Sequence, residues 1–203
     1  MLTLHLIRHG DTTYAADGTF AGDIDPPLTE AGRTQSEAIG RLASTLQLAA
    51  IYVSPKLRAR QTAAPIVHAS GLEPIVEEGL REIAYGAWEG RKEAEIKETE
   101  PEAFAAWTAD PALVSPPGGE SAFAIAARAL PVILRARREQ PNGNVLFVSH
   151  KATIRVMVCA LLGTPLGRFR DRVACPTASL TTFEFSERGG MLVRLGDVSH
   201  LRG

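Results

Sequence analysis

Two histidines and two arginines fall where short apolar runs of the chain end. His9 stands between Arg8 and Gly10 directly after residues 2–7, His150 follows Ser149 after residues 145–148, and Arg58 comes shortly after Ser54, which closes residues 50–53. An imidazole can act as a nucleophile or hydrogen-bond donor, and the planar guanidinium fork matches phosphate oxygens. Glycine at position 10 lets the backbone turn sharply and a ligand approach closely. Arg58 also sits in the predicted first turn of a helix, where the dipole disfavours a cation. Taken singly, a histidine after a strand is ordinarily a loop residue and a helical arginine is ordinarily solvated. Their shared position at run ends is what selects them. A pocket that gathered them would suit a dianionic phosphoryl group. His5, inside an apolar run, reads as packing, and His68, late in a helix, reads as solvent-facing.

These residues need elements to carry them. Residues 2–7, 50–53 and 144–149 read as core strands, and 180–185 with 191–198 as a terminal hairpin. Thr29 is a plausible cap for a helix whose apolar face includes Ala31, Ala38, Ile39, Leu42 and Leu46. Ser54-Pro55 reads as a cap and first-turn proline for the next helix, which Pro65 should kink or end. Phe123, Ala127, Leu130 and Leu134 mark one face of a further helix that Pro131 should strain or restart. Ile154, Met157, Val158 and Leu161 mark another, closed by Gly163 and Pro165. Strands alternating with helices predict an α/β fold: a three-layer sandwich with a mainly parallel central sheet and helices on both faces. Ligands bind beyond the carboxyl ends of such strands, which sends Arg8, His9, Arg58 and His150 to one edge. Residues 91–119, charged and broken by prolines, read as two short helices and a loop inserted within a single domain of residues 1–203.

Composition narrows the class. The chain of 203 residues is 45% hydrophobic and 22% charged, a globular balance, and its net charge of −1 argues against nucleic-acid or membrane-surface partners. Cys159 and Cys175 form neither a disulfide framework nor a metal-ligand spacing, and read as thiols of a reducing compartment. The N-terminus lacks signal-peptide architecture, and no apolar stretch is long enough for a bilayer. The expected location is the cytoplasm. A homodimer remains open as an assembly.

At this point the motifs converge on a family. Leu6-Ile7-Arg8-His9-Gly10-Asp11-Thr12 resembles the signature of the histidine phosphatase superfamily, the phosphoglycerate mutase-like proteins. Asp25-Pro26-Pro27-Leu28-Thr29-Glu30-Ala31-Gly32 is similar to its D-x-PLT-x-x-G segment, and Ser54 through Ala63 to its S-x-L-x-RA-x-QTA segment. The stretch around Leu80-Arg81-Glu82 resembles the acid-bearing segment, followed by Gly118-Gly119-Glu120-Ser121 and Val148-Ser149-His150. These blocks occur in order across nearly the whole chain.

The resemblance implies roles. His9 would be the nucleophile, forming a phosphohistidine; Arg8, Arg58 and His150 would hold phosphoryl oxygens; Glu82 would protonate the leaving oxygen, with Asp11 as the other acid to test. The residues alone would make Glu82 a surface carboxylate paired with Arg81. Metal-independent hydrolysis of a small phosphorylated metabolite is the implied activity, with no cofactor and no metal. Two positions depart from the pattern: Ala15 replaces a common Asn, and Lys151 replaces the Gly after the second histidine. Together with the missing Arg-Arg pair in residues 91–119, this favours a phosphatase over a phosphoglycerate mutase. A non-catalytic phospho-ligand binder is the reading from another class. Lys151 has two readings: a solvent-facing lysine, or a cation that meets a carboxylate beside the substrate's phosphate. Specificity is expected in residues 91–119 and the tail around His200.

Overall fold

The computed structural model describes residues 1–202, the side chains of Ala16 and Asp17 apart; Gly203, the last residue of the expected domain, lies outside the described residues. In chain order the elements are β1 (Leu2–Arg8), α1 (Thr13–Asp17), α2 (Glu30–Ala43), β2 (Leu48–Val53), α3 (Leu57–Ser70), β3 (Ile75–Val76), α4 (Glu93–Thr99), α5 (Pro101–Ala109), α6 (Ala122–Glu139), β4 (Gly143–Ser149), α7 (Lys151–Leu162), α8 (Phe169–Arg172), β5 (Leu180–Ser186) and β6 (Gly189–Asp197). The strands form one sheet in the order β3-β2-β4-β1-β5-β6. The first four in that order run parallel, β5 pairs antiparallel with β1, and β6 pairs antiparallel with β5.

The strands read as apolar runs because both faces of the sheet are covered. Leu4, Leu6, Tyr52, Phe147 and Phe183 pack with α6 and α7 on one side. Ile7, Ile51, Val53, Leu146 and Val148 pack with α2 and α3 on the other. This is the expected three-layer α/β arrangement. Register brings the strand ends level, with Arg8 opposite Ser149 and Val53 opposite Val148. The turns leaving β1, β2 and β4 therefore share one edge.

Several local expectations change. Pro65 lies inside α3 without ending it. A proline there deprives the carbonyl four residues back of its donor, and the Ser36 hydroxyl of α2 donates to that Gln61 carbonyl at 3.2 Å. Pro131 likewise lies within an unbroken α6, on its exposed face together with Ala127, where water can reach the carbonyl left without a donor. The buried face of α6 is Ala122, Ile125, Ala126, Ala129, Val132, Ile133 and Ala136, not the stripe of Phe123, Ala127, Leu130 and Leu134; Phe123 is 54% and Leu134 61% exposed. Small side chains let this helix lie close to the sheet, so side-chain size pointed to the wrong face. Ala31 is exposed for the same reason, because α2 buries Gly32, Ser36 and Gly40 with Ile39. Thr29 does cap α2, accepting from Gly32 N at 3.0 Å. Ser54 does not cap α3, which starts only at Leu57. Its hydroxyl is engaged elsewhere.

Residues 91–119 contain the two short helices expected, α4 and α5. Ile96, Phe104 and Trp107 join Phe20 and Trp88 in a small aromatic core of their own. Phe20 and Trp107 also wall the cavities described next, so this segment stands over the carboxyl edge of the sheet.

Candidate active site

The turn after β1 is pinned on several sides. His9 N donates to the Ser149 carbonyl at 3.0 Å, and its own carbonyl accepts from Ala178 N at 3.1 Å. Gly10 N donates to the Thr62 hydroxyl at 2.9 Å. A Cβ at position 10 would sit 2.6 Å from the Gly32 carbonyl oxygen, so only glycine allows α2 to approach this closely.

That turn sets the chemistry of the ring. His9 Nδ1 lies 2.7 Å from the Gly10 carbonyl, an acceptor, so Nδ1 carries the hydrogen and Nε2 the free lone pair. Burial lowers the His9 pKa well below the ordinary histidine value, and the charges of Arg8 and Arg58 act in the same direction. The ring is therefore neutral at neutral pH. His150 stacks obliquely behind it, with ring centroids 5.1 Å apart. Its Nε2 lies 2.7 Å from the Ser54 hydroxyl oxygen, which itself accepts from Lys56 N at 3.3 Å. The serine hydrogen is thus available to Nε2, which places the imidazole hydrogen on Nδ1. That Nδ1 is buried and without a partner among the described residues. Burial and then Arg58 hold the His150 pKa well below the ordinary value as well.

The cations are held unequally. Arg58 is 1% exposed and its Nη atoms donate to the Ala21, Gly22 and Ile24 carbonyls and to Asp25, at 3.0–3.2 Å. Those bonds use all four Nη hydrogens and leave Nε–H as the guanidinium donor with no partner among the described residues. Asp25 also accepts from Leu57 N, capping α3 from outside that helix. Arg8 Nη1 donates to the Cys175 carbonyl at 2.8 Å, while its buried Nε has no partner among the described residues.

Glu82 is 5% exposed and sits at the start of α7. Its Oε1 accepts from Ile83 N at 3.0 Å, Ala152 N at 3.2 Å and Thr153 N at 3.3 Å. Oε2 accepts, among the described residues, from Ala152 N alone, at 3.3 Å. One oxygen is saturated by the helix terminus and the other is left to meet a ligand. Arg81 does not pair with the Glu82 carboxylate. It binds Glu120 at 2.7 Å, and Glu120 also takes Arg128 at 3.0 Å.

Arg8, His9, Arg58, Glu82 and Lys151 line one cavity of about 150 Å³, with Tyr85 and Phe20 on its wall. His150 is fully buried behind His9 and does not line it. Asp11 turns away: its carboxylate accepts from the Thr29 hydroxyl at 3.3 Å. Lys151 opens α7, and although the residue is exposed its side chain borders the cavity. Burial first, then Arg155 and Arg8, lower its pKa. Among the described residues no group of three or more His, Cys, Asp or Glu is placed to hold a metal ion. No helix of the described residues is long and apolar enough to cross a membrane. A separate cavity of about 620 Å³ between α2 and α3 contains none of these side chains.

The profile of the histidine phosphatase superfamily (branch 1) matches residues 4–198. The chain belongs to that superfamily. Phosphoserine phosphatase 1 of Hydrogenobacter thermophilus is 34% identical over 201 residues, covering 99% of this chain and 95% of that protein. Glucosyl-3-phosphoglycerate phosphatase of Mycobacterium tuberculosis is 33% identical over 174 residues, covering 82% of this chain and 78% of its own. The solved structure of Bacillus stearothermophilus YhfR superposes with a TM-score of 0.91 at 33% identity, covering 99% of this chain and all of that one. These relatives put the chain with the phosphatases of the superfamily.

Sequence reasoning passed over Asp25 and Thr62, and gave Ser54 the wrong task. Asp25 and Ser54 both lie in the segments that carry the family resemblance, which is the signal that could have drawn attention to them. Arg155 and Arg170, near Lys151, were also missed. The i, i+4 spacing of Lys151 and Arg155 on one helix was the available signal.

Proposed function

We propose that this phosphatase hydrolyses a small phosphorylated metabolite through a covalent phosphohistidine at His9, without a metal ion. The observation that carries the reading is the His9 tautomer: Nδ1–H is tied to the Gly10 carbonyl, and the lone pair sits on Nε2 beside Arg8, Arg58 and Glu82. A neutral imidazole attacks phosphorus in line with the leaving oxygen. Arg8 Nε–H, Arg58 Nε–H and His150 Nδ1–H serve the equatorial oxygens, and the arginine charges offset the charge that develops there. Glu82 gives its proton from Oε2 to the departing alkoxide, then takes one from the water that cleaves the phosphohistidine. Fixed cations do the work a divalent ion does elsewhere.

Lys151 at the cavity border favours a substrate with a carboxylate beside the phosphate, a chemistry in keeping with the phosphoserine phosphatase among the relatives. The slight negative charge of the chain speaks against nucleic-acid substrates, and the cytoplasm is the proposed setting. Arg8, His9, Arg58 and Glu82 in one cavity, with His150 packed against His9, weigh against a non-catalytic binder. The direct test is inorganic phosphate release across a panel of metabolite phosphates, comparing wild type with His9→Ala. Release that depends on His9 is expected. Isomer interconversion that needs a bisphosphate primer, with no phosphate freed, would make the protein a mutase.

A further inference from the structure

Beside the cavity that holds His9 lies a second one, of about 250 Å³; Tyr85, Glu93 and Lys151 are among the residues that line both. Its remaining wall includes Arg155, from the same face of α7 as Lys151, and Arg170 from α8. Arg155 Nε and Arg170 Nη1 are buried and have no hydrogen-bond partner among the described residues. Glu93 is the one acid in the lining among the described residues. It lies 3.6 Å from Arg170 Nη2 and is already bound by Lys97 at 2.8 Å. Three cations therefore line this cavity with one carboxylate, while Glu82 in the neighbouring cavity also acts on Lys151 and Asp171 on Arg170. The Arg170 guanidinium lies over the Trp107 ring at 3.9 Å, which fixes its plane while leaving its edge free to donate.

Buried donors without acceptors are costly, and so are like charges drawn out of water. Burial lowers the pKa of both Lys151 and Arg170, and Arg155 pushes each the same way. An anion entering the cavity relieves both penalties, and paired guanidinium groups suit carboxylate and phosphate oxygens. Because Lys151 borders both cavities, such an anion would be joined to the ester oxygen through a short linker.

We propose that this side cavity is a subsite for a second anionic group, carboxylate or phosphate, on the leaving half of the substrate, bound by Arg155, Arg170 and Lys151. The inference rests on the phosphatase reading of the neighbouring cavity, and binding measurements separate the two.

Calorimetry on the His9→Ala protein would compare 3-phosphoglycerate with glycerol 3-phosphate, which differ by a carboxylate against a hydroxymethyl group. The carboxylate should bind more tightly. Adding Arg155→Gln or Arg170→Gln should weaken 3-phosphoglycerate about tenfold and glycerol 3-phosphate less than twofold. Propane-1,3-diol bisphosphate against propyl phosphate gives the corresponding phosphate arm, and the larger preference names the natural group. Equal losses for both members of each pair, or no loss for either, overturn the subsite. Arg155→Lys, which keeps the charge, guards against misfolding and should retain part of the preference. A wild-type enzyme that frees no phosphate from any ester would overturn the phosphatase reading, while the binding ratios would still decide the subsite.

Discussion

Replacing Glu82 with glutamine separates its chemical role from its structural one. Oε1 accepts from Ile83, Ala152 and Thr153 N, and an amide oxygen can keep all three bonds. The Oε2 position becomes an NH₂ that cannot deliver a proton to a leaving alkoxide. Glu82→Gln should therefore fold with nearly unchanged stability, whereas Glu82→Ala leaves three backbone donors, Ile83 N and two at the start of α7, without their acceptor. Each buried donor stranded in this way costs about 1–3 kcal/mol, so the alanine variant should melt well below the glutamine one. On the chemical side, loss of general acid help costs about 10²–10⁴-fold, or about 3–5 kcal/mol of transition-state stabilisation. That loss applies where the leaving group is a poor one. Steady-state kinetics would compare an alkyl phosphate with p-nitrophenyl phosphate, whose phenolate leaves without a proton. Glu82→Gln should lose two or more orders of magnitude in kcat/KM on the alkyl ester and far less on the aryl ester. Equal losses on the two esters would refute the assignment, and Asp11 would be the next carboxylate to test.

Full activity is expected in excess EDTA, because the cations that face the phosphoryl group are side chains; activity lost on chelation and restored by a divalent ion would contradict this. Stability should fall in mild acid, because the folded-state pKa values of His9 and His150 are both lowered, chiefly by burial. Below the unfolded value of 6.5 the unfolded chain binds protons that the native site refuses, so the loss begins as pH drops through 6.5 and is absent above it. Each such histidine steepens the loss between pH 7.5 and 5.5 by at most about 1.4 kcal/mol per pH unit. Urea unfolding across that range checks it: a flat profile, or one unchanged in a His9→Asn/His150→Asn variant, would show that the buried rings are not responsible.

Much of the architecture could be read from the chain because burial on both faces leaves a strong mark. The runs in β2 and β4, residues 50–53 and 145–148, are apolar without interruption, that of β1 is broken only by Thr3 and His5, and their ends put Arg8, His9, Ser54 and Ser149 level. Helix faces were harder to read. On α2 glycine, serine and alanine share the buried stripe with Ile39, and on α6 four alanines share it with Ile125, Val132 and Ile133; the small residues carry little hydropathy but permit close approach, so Phe123 and Leu134 drew the assignment to solvent. Pro65 does not end α3, and the donor it removes is replaced from another helix by Ser36, a contact invisible in local sequence. The same limit hid Asp25 behind Arg58 and Glu120 behind Arg81, since each pair joins segments far apart in the chain. The second cavity was out of reach as well, because Arg155 and Arg170 come from different helices and meet Trp107 only in three dimensions.

The central claim is that phosphorus passes through His9, and trapping the intermediate tests it most directly. Enzyme mixed with a ³²P-labelled substrate would be quenched in alkali within the first turnovers, digested and mapped by mass spectrometry. A phosphoramidate survives alkali and is lost in acid. The account predicts one labelled residue, His9, with acid-labile phosphate and no label in His9→Ala. Label on a serine or an aspartate, or steady turnover by His9→Ala at the wild-type rate, would contradict it.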